Sequence, residues 1–74
     1  MEKEYIEKVL NKIKDLRNSS NMKQAEIAAK AGFTTSYYGM IERGSRTLSL
    51  EYLYKIANAF DCDVVDLLMM CEND

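Results

Sequence analysis

The chemistry open to this chain is hydrogen bonding and charge rather than bond breaking. It contains no histidine, no nucleophile–base set, no glycine loop to cradle a phosphate and no cluster at metal-ligand spacing, so catalysis is not expected. Its scattered carboxylates read as helix caps and solvated faces. The informative side chains lie in residues 22–44, MKQAEIAAKAGFTTSYYGMIERG, which read as two short helices joined by a tight turn. A second helix presented in this way can lie in the major groove of DNA with its first residues at base edges.

The flanking pattern supplies the elements that must position that helix. Gln24 opens the earlier helix of the pair, whose inward positions are Ala25, Ile27, Ala28 and Ala31. Gly32 ends it with the left-handed backbone that glycine adopts without strain. Thr34 can cap the next helix, which carries Tyr38 and Ile41 inward and ends near Arg43-Gly44. Small residues such as Ala28 let the two helices approach closely. Ahead of them, a first helix from about Glu4 to Asn18 sets Ile6, Val9, Leu10, Ile13 and Leu16 on one face, at helical spacing. Behind them, Ser49 caps a fourth helix that runs to about Phe60 and points Leu50, Leu53, Ile56, Ala57 and Phe60 inward. Asp61-Cys62-Asp63 breaks it. Asp63, with Asp66 three residues on, can cap a fifth helix in a weakened capping box, where Val64, Leu67 and Leu68 continue the core. The expected fold is all-α, a compact five-helix bundle in one domain over residues 1–74. Tyr38 belongs to its core, Tyr37 projects the other way toward DNA, and Tyr5 edges the first helix. Tyr52 and Tyr54 face solvent, the core edge or a dimer partner.

The net charge of −2 argues at first against a nucleic-acid partner, but its distribution does not. Residues 17–55 carry six bases against three acids, whereas residues 56–74 carry five acids and no base. Local charge near the phosphates governs affinity more than the total does. An acidic tail pointing away from DNA is compatible with binding. No apolar run approaches the ~20 residues that span a membrane, and the first residues lack the apolar core of a signal peptide, so a cytoplasmic location is expected. Cys62 and Cys71 could form one disulfide, but reduced structural thiols are expected there. Cys71, near the C-terminus, is expected to be exposed and open to oxidation between chains.

From about Ile13 to Leu68 the chain resembles the phage-repressor and Cro-type helix-turn-helix family, also called the xenobiotic-response-element family. The matching elements are Leu16-Arg17, Gln24-Ala25-Glu26-Ile27-Ala28, Gly32, Ser36-Tyr37, Ile41-Glu42-Arg43-Gly44, Arg46, Ser49-Leu50 and Val64-Val65-Asp66-Leu67-Leu68. The segment from Arg46 to Leu50 is similar to that of restriction–modification controller proteins, and equally suits short repressors of phages or mobile elements. The resemblance implies a lambda-repressor-like bundle with the helix-turn-helix in helices two and three, and a homodimer on an inverted-repeat operator in double-stranded DNA. It also implies autoregulation, with no cofactor, small-molecule ligand or membrane partner. It places a recognition helix at about 35–42, with Thr35, Ser36, Tyr37 and Met40 toward bases, Tyr37 reaching either a base or a phosphate. Gln24, Lys23, Thr34, Arg43 and Arg46 fall at phosphates, and Arg17 and Glu42 form a structural ion pair.

Two features depart from the family. Lys23 stands where a Ser or Thr usually caps, a loss of ~1 kcal/mol. Thr35, Ser36 and Met40 include no Arg, Asn or Gln, so bidentate base readout is not expected from them; thymine methyls, water and DNA shape would contribute more. Val65 and Met69 are expected in a dimer interface built from residues 61–74. The competing reading is a protein-interaction module, an antitoxin or anti-repressor that binds its partner through the acidic last helix.

Overall fold

The computed structural model describes residues 2–72. The apolar stripe of the N-terminal segment becomes α1 (Glu2–Ser19), followed by α2 (Gln24–Ala31), α3 (Thr35–Glu42), α4 (Leu50–Ala59) and α5 (Val64–Glu72), with no strand among the described residues. The helix-turn-helix pair is sandwiched: α2 packs on α3 and α4, α1 on α3 and α5, and α4 on α5. Ile13, Ile27, Tyr38, Ile41, Ile56, Leu67 and Cys71 are the largest fully buried side chains, drawn from every helix. Burial on that scale supplies the driving force that short helices lack in isolation.

Helices α1 to α4 all stop by the same device. A residue in left-handed backbone follows each one, and the next N–H reaches back across the last turn. The left-handed residues are Asn21, Gly32, Gly44 and Asp61. The returning bonds are Met22 N–H to Arg17 O, 3.0 Å, Phe33 to Ala28, 2.8 Å, Ser45 to Met40, 2.8 Å, and Cys62 to Ala57, 3.0 Å. At the other ends, Thr34 Oγ1 accepts from Tyr37 N–H and Ser49 Oγ from Tyr52 N–H, both at 3.1 Å. Lys23 makes no side-chain cap; its own N–H donates to Glu26 Oε1 at 3.4 Å. A longer bond of the same kind joins Asp63 N–H to Asp66 Oδ2 at 3.5 Å.

Four expectations from the sequence are corrected. Ala25 is exposed, since at about 100° per residue it lies across α2 from buried Ile27. Leu50 is 74% exposed: it is the first residue of α4, and side chains lean toward the helix N-terminus, here past the end of the core. Ile6 is 41% exposed and instead lines a shallow apolar cleft with Tyr5, Leu48, Leu50 and Leu68. Cys71 is fully buried, because α5 continues through Glu72 and sets it one turn after inward-facing Leu67. Residues 73 and 74 of the expected dimerising stretch lie outside the described residues.

Candidate nucleic-acid interface

The orientation of α3 is set from beneath by one carboxylate. Glu42, only 4% exposed, receives Arg17 Nε at 2.9 Å and Arg17 Nη2 at 3.0 Å. It also accepts from Gln24 Nε2 at 3.1 Å and from the Tyr38 hydroxyl at 2.8 Å. Arg17 Nη1 donates in addition to Met22 O at 3.1 Å, so α1, the break after it, α2 and α3 meet at a single group. Burial opposes the carboxylate charge, yet the hydrogen bonds from Arg17, Tyr38 and Gln24 outweigh it and hold the Glu42 pKa below its ordinary value. Burial, and then the bond to Glu42, push the Tyr38 phenol well above its own. Tyr38 therefore keeps its proton and donates it to Glu42.

The outer side of α3 is left to solvent. Thr35 and Ser36 are exposed on its first turn and Met40 is half-buried one turn on. Lys23, Thr34, Arg43 and Arg46 are exposed around its ends. Gln24 is half-buried with its amide engaged by Glu42. Tyr37 is half-buried as well, because its ring packs against Phe33 (5.7 Å between centroids) and Tyr52 (5.9 Å) and its hydroxyl donates to that of Tyr52 at 3.2 Å. The Arg46 guanidinium lies 5.6 Å above the same ring. Val65 and Met69 are remote in sequence, one turn apart on α5, and 65% and 57% exposed.

Two contributors escaped the sequence reading. Gly39 is buried in α3; a Cβ there would meet Arg43 Nη1 at 3.2 Å and Gln24 Oε1 at 3.4 Å. A glycine inside a helix, at a cost of ~1 kcal/mol, was the available signal. The engagement of Tyr52 with Phe33 and Tyr37 had no signal, since nothing in the spacing of three aromatics announces a shared cluster.

Comparison with known proteins agrees with this fold. The helix-turn-helix family description matches residues 13–67. An uncharacterized HTH-type transcriptional regulator of Archaeoglobus fulgidus is 32% identical over 63 residues, 85% of this chain and 89% of that protein. The control protein C.BamHI of Bacillus amyloliquefaciens is 38% identical over 58 residues, 77% of this chain and 72% of that one. Among solved structures, the wild-type restriction–modification controller protein C.Esp1396I is similar with a TM-score of 0.85 and 29% identity, over 93% of this chain and 90% of that chain.

Proposed function

The chain belongs to the helix-turn-helix family of transcriptional regulators, and from that premise we propose that it acts as a homodimer on an inverted-repeat operator, reading DNA through α3. The observation that carries this is the pairing of a rigidly braced α3 with an outward polar first turn: Glu42 fixes the helix from below while Thr35 and Ser36 remain exposed. Lys23, Arg43 and Arg46 stand where they could meet phosphates on either side, contacts that fix register while the base edges choose sequence.

Size supports two copies. The protomer measures 29 × 23 × 20 Å, shorter than the about 34 Å between successive major grooves on one DNA face. One protomer carries one such helix, so an inverted repeat asks for two. Val65 and Met69 on α5 supply an exposed apolar pair for the contact. The likeness to restriction–modification controller proteins supports binding beside its own gene, where occupancy follows protein concentration.

The test is titration into fluorescent duplex from upstream of its own gene, with anisotropy read at several salt concentrations beside a scrambled control. Salt-sensitive binding that exceeds the control by ~10³-fold is expected for a specific regulator. Equal binding to both, followed by no enrichment from a random-sequence library, would sink the proposal. A stoichiometric protein partner retained by Thr35→Ala and Arg43→Ala variants would then favour the protein-interaction reading.

A further inference from the structure

We infer that Tyr52, on α4 and outside the helix-turn-helix, joins Arg46 and Lys55 in a clamp for one DNA backbone phosphate, with Tyr37 as its positioning residue; this rests on the DNA-binding reading above and assigns a group within it. Three rings from three elements form the base of the clamp. Phe33 in the turn before α3 stands edge-on to Tyr52 at 5.2 Å between centroids and 86°, and Tyr37 meets Tyr52 at 5.9 Å and 88°. One cation lies over each outer ring: Arg46 over Tyr37 at 5.6 Å and Lys55 Nζ over Phe33 at 5.8 Å.

Within the Tyr37–Tyr52 pair, 3.2 Å apart, the Tyr37 hydroxyl donates and the Tyr52 oxygen accepts, which leaves the Tyr52 O–H to donate to another group. A hydroxyl that already accepts a bond is a stronger donor. Two cations and a polarised O–H around half-buried rings fit an anion with several acceptor oxygens. The DNA group of that description is a phosphate, for which Arg, Lys and Tyr are ordinary partners. A base edge fits less well, because the Tyr37 ring is pinned toward α4 and its hydroxyl is turned to Tyr52. The opposing charge is Glu51, 3.6 Å from Lys55 Nζ in an exposed pair, which Lys55 leaves at little cost. Base readout then falls to Thr35, Ser36 and Met40.

The experiment uses the full chain, a 20-base-pair duplex (about two helical turns) enriched by it from a random library, and an unrelated duplex of the same length. Tyr52→Phe keeps the ring and loses the donor. It should weaken binding about tenfold on both duplexes, the worth of one hydrogen bond to a charged group, with base preferences and melting temperature unchanged. Lys55→Gln should lower the slope of log affinity against log salt by about one. Tyr37→Phe should weaken both duplexes alike. Wild-type affinity and salt slope in Tyr52→Phe and Lys55→Gln would overturn the clamp, as would an altered base preference in Tyr37→Phe. Wild-type protein that enriches no sequence would overturn the DNA-binding reading and the clamp with it.

Discussion

Glu42 shows how one buried residue can set the orientation of a helix. Removing Arg17, as in Arg17→Met, leaves a carboxylate that is 4% exposed without its ion partner, and ~3–5 kcal/mol of stability should be lost, measured by urea unfolding at neutral pH. The pH dependence has a definite sign. The folded pKa of Glu42 lies below its ordinary value of 4.5, so its contribution is complete above that pH and lost as pH falls through the folded value. In Arg17→Met burial dominates instead, and acid unfolding should begin at higher pH than in the wild type. Gly39→Ala separates stability from binding. It should raise stability by up to ~1 kcal/mol through helix propensity, while crowding Arg43 Nη1 and Gln24 Oε1 and weakening DNA affinity in the anisotropy titration. Legibility was uneven at this scale. Arg17 and Glu42 are 25 positions apart, so their pairing was available only through a family resemblance, whereas Thr34 as a cap could be read from its own neighbourhood.

Among the elements, periodicity located every helix and failed mainly in phase or at the ends. Ile27, Ala28 and Ala31 define the inward face of α2, and counting by helical turns from Ile27 would have turned Ala25 outward. Leu50 has the right spacing from Leu53 yet its side chain stays mostly exposed at the start of α4, a tertiary fact that no local pattern contains. The shared stopping device has an uneven chemistry: glycine serves after α2 and α3, but Asn21 and Asp61 hold positive φ after α1 and α4. Asp61 also sets a negative charge beside the negative end of α4. Asp61→Gly should remove both penalties and stabilise the protein by ~1 kcal/mol, seen as a higher Tm; a lower Tm would show that the aspartate holds a contact of its own.

At the scale of the whole molecule, charge and apolar surface divide the labour. The acids without compensating bases all fall after residue 55, on the segment that includes α5, while Lys23, Arg43 and Arg46 stand exposed around the ends of α3. Placing Asp at Val65 and Glu at Met69 together should give a monomer by sedimentation velocity and reduce operator affinity without unfolding the protein, since both side chains are mostly exposed. Dimerisation through α5 would also reach the thiol behind it. Cys71 is fully buried, whereas Cys62 is partly open, so an alkylating reagent should consume Cys62 first, although burial and the nearby aspartates raise its thiol pKa, and reach Cys71 only when α5 swings away. The slow labelling step is then a clock for local opening of that helix. If a second copy holds α5 in place, the clock should slow as protein concentration rises, reporting assembly from a sulfur atom buried inside the protomer.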